Sequence, residues 1–480
     1  MKNITILQMN DSHAYLDPHY EYFWKDGEQV YKEVGGYARI AKYFEKVREE
    51  MEDQALVLTL DNGDTIHGTY PVVKSQGEKM IPILNEMGFD AWTAHWDFAY
   101  GPEQLKNISN ELDYPLLAIN CYDEETDELI FDPYKIVEHD NLKVGLIGIA
   151  NTIVDKTMPD HFSRGIYLTL GKEELPSYIS ELKRKGVDHM IVFAHLGYPQ
   201  EVQLARDVDG IDVLVSGHTY NRLYEPVMAN DTIIIQSGCH GSFIGRLDLK
   251  LEKGPVKDLE HELVIMDDSL RKDEKVQSMI DDVKEPHEEM LNRVVGKTKT
   301  GLARDKVLET TMDDLLLRAL LHASGAEMAF SNGWRYGAAV PPGEITMEDI
   351  WNMIPTNPPV SVCEISGEEL WDMMEEDLEG TFSRRPYDQM GGYVKRCMGI
   401  NVYFKVENGS GERIQEFFVG DERLKKDKRY EACFVTTQGV PAKYGKNRRD
   451  LEIDAVEALK DYVEKESPIE IEIEGSVVAV

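Results

Sequence analysis

The sequence predicts an α/β protein, with a layered catalytic domain of short buried strands and amphipathic helices followed by a second, α+β domain. Three observations carry this. Apolar runs of strand length recur through the first half and end in Asp, Asn or His. Amphipathic stretches with helical spacing separate those runs. Past about residue 293 the regular alternation gives way to a mixture of helices and strands.

In chain order the first-half strand candidates are ITILQMN, ALVLTLDNGD, PLLAIN, KVGLIGIAN, HMIVFAHLG and DVLVSGH. Between them, GGYARIAKYFEKVREEMED and GKEELPSYISELKRKG have the pattern of surface helices. Such alternation implies strands layered against helices. In open α/β sheets sites collect at the carboxyl ends of strands, which is where the polar residues fall here. Residues 266–293 are highly charged with one proline and are expected to form a connecting helix. The expected domains are therefore 1–285 and 286–480. In the second, TMDDLLLRALLHAS and SGEELWDMMEED suggest helices, with Met373 and Met374 in the core. VSVCEI, GINVYFKV, YEACFVTT and IEIEIEG suggest strands.

Composition narrows the function. A chain of 480 residues is long enough for two domains, each with its own core. Its 88 acids against 52 bases give a net charge of −36, a field that repels nucleic acid and anionic membranes. No run approaches the roughly 18 apolar residues of a membrane span. The opening MKNITILQMNDSH has no basic n-region, and the five cysteines are scattered with no CxxC pair. Both features lead to the expectation of a cytoplasmic protein in a reducing compartment. Oligomeric state is not readable from the pattern. A protein this acidic binds a small anion only where a local cation supplies the attraction, so a metal site is the feature to look for.

Five segments place ligand-type side chains just after apolar runs: Asp11 and His13 in MNDSHAY, Asp64 in DNGD, His95 in TAHWDFAYG, His195 in FAHLG and His218 in SGHTY. Asp11 and His13 are two apart and would share a face of an extended segment. Four histidines with two carboxylates suit manganese, iron or zinc better than magnesium or calcium. A lone strand-end histidine is more often a satisfied polar residue than a ligand. The ordered series of DxH, GD, a histidine motif, HLG and GHT is a different matter.

On these motifs the sequence resembles the calcineurin-like metallophosphoesterases of the 5'-nucleotidase type. The resemblance covers nearly the whole chain. It implies a β-sandwich domain carrying two divalent metals, manganese foremost with zinc or iron as alternatives, and a C-terminal substrate domain. It further implies that Asp11 and His13 bind one metal, Asp64 bridges both, and His195 and His218 bind the second. Such a pair would clamp a small anionic substrate, nucleotide-like by the resemblance, for in-line attack by a bridging hydroxide.

The chain departs from that pattern at several places. The family's GNHEFDYG reads AHWDFAYG here. His95 falls on the asparagine ligand, Trp96 on the histidine that assists the leaving group, and Ala99 on its aspartate partner. An indole donates a hydrogen bond but cannot shuttle a proton. The family's GHTH reads GHTYN, so that Tyr220 binds the first metal, Asn221 substitutes, or that site is weaker. The nucleoside-holding PFxN and GGDGY elements are not intact, whereas SNGWRYGA resembles the anion-binding NGGxR segment. Asn332, Gly333 and Arg335 are the substrate-binding candidates, Arg335 by bidentate geometry. HWDFAYG is also similar to a sub-branch that includes the thiosulfohydrolase of bacterial sulfur oxidation. A thiolate leaves without a proton far more readily than a nucleoside alkoxide does.

The expected activity is metal-dependent hydrolysis of a phosphate ester. The alternatives are cleavage of a sulfur–sulfonate bond and a binding protein that has lost its chemistry. His240, between glycines in GCHGS, is the candidate proton donor. His67, three residues beyond Asp64, is a candidate supporting residue, and His19 lies in an aromatic-rich insertion expected to be a loop beside the cleft. Cys239 and Cys397 have no evident base partner in the sequence and are expected to pack in the core.

Overall fold

In the computed structural model residues 2–252 and 256–480 are described. They form two compact units. One comprises the chain up to residue 19 together with 33–286, and the other residues 20–32 together with 287–480.

The first unit is a sandwich of two sheets. One sheet runs in the order Val256–Ile265, Phe243–Leu251, Lys2–Met9, Leu56–Asp61, Ala91–Trp92. The other runs Val227–Ala229, Thr232–Ile235, Val213–Val215, His189–Ala194, Leu142–Ile149, Tyr134–His139. Ile4, Ile6, Leu58 and Leu60 of the first sheet share one apolar core with Leu146, Ile191, Phe193 and Val215 of the second. The outer face of the second sheet, through Ile147, Ile149 and Val192, packs on Leu175, Ile179 and Leu182 of the helix Leu175–Arg184. With both faces covered, these strands read as continuous apolar runs.

Strand direction positions the site. Lys2–Met9, Leu56–Asp61 and Ala91–Trp92 are parallel. So are Leu142–Ile149, His189–Ala194, Val213–Val215 and Thr232–Ile235. Parallel strands deliver their carboxyl ends to one edge of a sheet, and the residues after Met9, Asp61, Trp92, Ala194 and Val215 are the polar motifs.

The second unit holds a five-stranded sheet, Arg396–Met398, Met328–Ser331, Arg429–Val435, Pro359–Ser366, Lys446–Asp454. A four-stranded sheet, Glu422–Arg423, Ile414–Val419, Ile400–Phe404, Val477–Ala479, accompanies it. The helix Gly367–Phe382 starts at a capping box, with Ser366 and Glu369 each bonding the other's backbone N–H. It buries Leu370, Met373, Met374 and Leu378 against Phe330 and Phe404.

Four expectations about elements are corrected. PLLAIN forms only isolated bridges, Trp92 with Leu116 and Leu117 with Asp132, and no strand. IEIEIEG alternates like a strand, yet it bridges the chain only at Ile469–Thr298. Beyond that point the Glu309 carboxylate takes the N–H groups of Glu474, Gly475 and Ser476, so a side chain replaces a ladder partner. The segment 266–293 is α-helical over Glu274–Lys284 and Glu288–Leu291, and the two are joined by a tighter 3-10 turn, Glu285–His287, around Pro286, which has no N–H to give. The aromatic insertion is a hairpin, His19–Lys25 with Glu28–Val34, and not a loop. Asp26 (φ 54°) and Gly27 (φ 83°) make its turn, as a type I′ hairpin requires. Tyr22 and Tyr31 of the hairpin pack on Ala303 and Ala339, and a side chain at Gly301 would come within 1.8 Å of the Tyr31 hydroxyl.

Candidate metal centre

The strand ends of the first unit bring six of the seven metal candidates into two overlapping groups. Asp64, His95, His195 and His218 form one, and Asp11, His13 and Asp64 the other, with the donor atoms of each within 4.8 Å of one another. Asp64 belongs to both. Its carboxylate lies 3.4 Å from His13 Nε2, 3.0 Å from His95 Nδ1 and 3.4 Å from His195 Nε2. All six side chains are buried.

The surrounding chain fixes which atoms face inward. His13 Nδ1 donates to the His67 carbonyl at 3.1 Å and His195 Nδ1 to the Asn62 carbonyl at 2.5 Å, so in both rings Nε2 points to the centre. Asp11 Oδ2 accepts from Asn10 Nδ2 (2.7 Å) and from the His218 N–H (2.9 Å). That leaves Asp11 Oδ1, like His95 Nε2, buried without a hydrogen-bond partner. A buried polar atom left unmatched costs free energy, so these two atoms fit a cation between the groups. The donor chemistry, mixed imidazole nitrogen and carboxylate oxygen, fits a pair of first-row divalent ions.

Electrostatics agree with that fit. Burial pushes Asp11 up to about 7 and His13 down to about 3. Burial opposes charge on Asp64 and His195 too, but their mutual attraction outweighs it. His95, His195 and His13 hold Asp64 well below the usual carboxylate range, and Asp64 with Asp11 raise His195 to about 10.

Backbone strain concentrates here. Asp11, His13, Asp64, His218, Tyr220 and His240 all lie in the left-handed region, with φ between 48° and 71°. Each costs a non-glycine residue about 1–2 kcal/mol, and such conformations persist where surrounding contacts over-determine them. Gly63 (φ 89°) permits the DNGD turn, since a side chain there would come within 2.7 Å of the Thr93 carbonyl just ahead of His95.

Tyr220 places its hydroxyl 2.5 Å from His13 Nε2. His240 is tied by its backbone N–H to the Asp11 carbonyl at 2.7 Å, and its ring lies 4.8 Å from Tyr15 and 5.7 Å from Tyr220. The structure also supplies the partner that Cys239 lacked in the sequence: its sulfur sits 3.5 Å from His240 Nδ1. Trp96 stacks on His67, with centroids 4.9 Å apart and planes 24° apart, and burial pushes His67 down to about 4. His19 reaches Ser242 Oγ at 3.1 Å.

Several supporting residues escaped sequence reasoning. Asp97 accepts the N–H groups of Asp64, Thr65, Ile66 and His95 at 2.9–3.1 Å and so holds two motif loops at once. Glu201 accepts those of Leu196 and Gly197, just past His195. Asn62 bonds the carbonyls of Ala194 and Val215, Gln8 that of Ser216, and Gln236 that of Gly217. Glutamines inside the apolar runs ITILQM and IIIQ were the available signal.

The remaining candidates lie in the second unit, after Met328–Ser331. Asn332 is 9% exposed and its amide nitrogen has no hydrogen-bond partner. Gly333 lets the Tyr393 ring approach to where a side chain would meet it at 2.5 Å. Arg335 donates to the carbonyls of Gly391 (2.7 Å) and Gly392 (3.0 Å), and its guanidinium lies over the Tyr393 ring.

Residues 294–437 match the family model described as 5'-nucleotidase, C-terminal domain. The chain is 24% identical over 463 residues to the trifunctional nucleotide phosphoesterase protein YfkN of Bacillus subtilis, an alignment covering 86% of this chain but only 30% of that protein. It is 22% identical over 528 residues to the 5'-nucleotidase of Vibrio parahaemolyticus, covering 98% and 90%. Among solved structures, the sulfate thiohydrolase SoxB of Thermus thermophilus has the same fold with a TM-score of 0.92 at 22% identity, covering 99% and 96% of the two chains. A 5'-nucleotidase precursor, also from Thermus thermophilus, superposes with a TM-score of 0.85 at 22% identity, covering 100% and 99%. Residues 294–437 therefore form a 5'-nucleotidase C-terminal domain, and along its whole length the chain has the fold of SoxB and of the 5'-nucleotidase precursor.

Proposed function

We propose that this protein is a metal-dependent hydrolase of phosphate esters with a nucleotide-like substrate, its residues 1–285 catalytic and 286–480 substrate-binding. The observation that carries this reading is the pair of buried Asp/His groups sharing Asp64. The nucleotide phosphoesterase and 5'-nucleotidase relatives support the substrate class. Asp11, His13 and Asp64 would hold one ion, and Asp64, His95, His195 and His218 the other, with manganese foremost and zinc or iron as alternatives. When bound, such a pair supplies Lewis-acid stabilisation of the transferred group and a water nucleophile at neutral pH.

The chain's own residues do the rest. Asp97 and Glu201 hold the motif loops in register, so the donors meet without reorganisation. Trp96 offers only an N–H, so residue 96 cannot protonate a leaving group, and His240 is the imidazole assigned to that proton. Asn332 and Arg335 are the donors assigned to substrate, Asn332 by its unmatched amide. Five free, buried cysteines support a reducing, cytoplasmic setting.

A second reading, hydrolysis of a sulfur–sulfonate bond, is favoured by the Trp96–His67 stack, because a thiolate departs without the missing acid. The test is product release by manganese-loaded protein from 5'-nucleotides, a nitrophenyl phosphate diester and a cysteine S-thiosulfonate. Phosphate from the nucleotides is the expected result. Sulfate alone would replace the first reading by the second, and silence across the panel would leave a binding protein.

A further inference from the structure

We propose that the second unit recognises the uncharged half of the substrate by hydrogen bonds along its edge, through Trp334, Asn352 and Thr356, and not by stacking it between aromatic rings. This rests on the nucleotide-like reading above and deepens it: the group held is a nucleobase that presents both an acceptor and a donor.

Four buried polar atoms without a hydrogen-bond partner fall on two loops of this unit. They are the Asn332 amide nitrogen and Trp334 Nε1 on one loop, and Asn352 Oδ1 and Thr356 Oγ1 on the other. Buried polar groups are nearly always matched, so such a concentration marks a place where a ligand supplies the partners. Arg304 makes the two loops neighbours. Its Nη1 donates to the Tyr336 carbonyl at 2.5 Å and its Nη2 to the Met353 carbonyl at 2.8 Å. A side chain at Gly337 would come within 3.5 Å of the Asn352 carbonyl.

The chemistry of the ligand follows from what these loops offer. Trp334 is 1% exposed and its ring lies nearly parallel to that of Tyr336, with centroids 5.7 Å and planes 21° apart, so no open face remains for a base to stack on. What it keeps is its edge, where the indole N–H takes an acceptor. Asn352 Oδ1 takes a donor, and the Thr356 hydroxyl serves as either. The charge nearby is already committed. The third Arg304 nitrogen, Nε, donates to Asp313 Oδ1 at 2.8 Å, and Arg396 Nε holds the other oxygen of Asp313 at 2.9 Å. Arg335 turns its Nη2 to the carbonyls of Gly391 and Gly392. The group that completes these loops is therefore uncharged, with an acceptor for Trp334 and a donor for Asn352.

The test titrates the protein calorimetrically with adenosine, guanosine, cytidine, uridine and ribose, none of which carries a phosphate. One nucleoside is expected to bind at least about 10-fold more tightly than the least favoured, and ribose to give no measurable heat. Trp334→Phe keeps a buried ring and removes the N–H, and Asn352→Leu removes the acceptor. Each should bring the four affinities together, with the unfolding midpoint reporting that the variant is folded. Equal affinities in the wild type, or a preference that survives both substitutions, would overturn the proposal. Hydrolysis of 5'-nucleotides by a chain that binds no nucleoside would overturn it and leave the hydrolase reading standing. Selective nucleoside binding without hydrolysis of any 5'-nucleotide would support the base recognition and overturn the hydrolase reading.

Discussion

The two units carry their candidate chemistry in opposite ways. In the first, every ligand candidate follows a parallel strand, and strand direction alone gathers the residues after Met9, Asp61, Trp92, Ala194 and Val215. In the second, Asn332, Gly333 and Arg335 occupy a loop whose shape depends on Tyr393 and on the carbonyls of Gly391 and Gly392. A site built on strand ends is fixed by topology. A site built on a loop is fixed by its neighbours, and so by residues far away in sequence.

The sharpest test of the first half of that contrast is Asp64→Asn. Because Asp64 serves both groups, metal content should fall below one ion per chain, and turnover should fall by more than the roughly 10–100-fold that an outer partner costs. Near-normal turnover with two ions bound would break the comparison. Asp97→Asn should come next. Its carboxylate touches no candidate donor atom directly but holds two ligand loops, so metal affinity measured by chelator competition should drop about 10–100-fold. An unchanged affinity would show that the strand ends position the ligands without help.

A smaller effect is expected at Trp96→His. Restoring an imidazole without its carboxylate partner, since residue 99 is alanine, should raise turnover of an alkyl phosphate about 10-fold relative to a nitrophenyl ester, short of the roughly 10²–10⁴-fold that a complete general acid contributes. Equal acceleration of both substrates would assign residue 96 a role other than proton transfer. The smallest effect belongs to the second unit. Burial, then the neighbouring Glu309, pushes Asp314 up to about 9 from its ordinary 3.8. The folded chain therefore holds a proton there that the unfolded chain releases. That contribution to stability is complete below about pH 4 and is lost as pH rises toward 9. Melting temperature should decline across this window by a few degrees, and Asp314→Asn should flatten the slope.

The same contrast explains what could be read in the sequence. Asp11, His13, Asp64, His95, His195 and His218 were legible because each is a metal-type side chain at the end of an apolar run. Asp97 was not, because a carboxylate that binds four backbone amides looks in sequence like any other. PLLAIN and IEIEIEG have the composition of strands, but whether a segment pairs depends on what lies beside it, and Glu309 lies beside the second. The hairpin had a clear signal, Asp26-Gly27 between aromatic runs, which the wider polar composition obscured. That the Tyr220 hydroxyl meets His13 across 207 residues was open to the sequence only through the resemblance, which assigns both to the first metal position.

That hairpin has a consequence in time. Residues 20–32 leave the ribosome early, yet Ala303 and Ala339, on which Tyr22 and Tyr31 pack, follow only after hundreds of further residues. At about 5–20 residues per second the wait is on the order of tens of seconds. Throughout it Tyr22 and Tyr31 lack the surface on which they pack. A nascent chain halted near residue 286 should therefore be cut by protease within 20–32, and the full-length chain should be protected there.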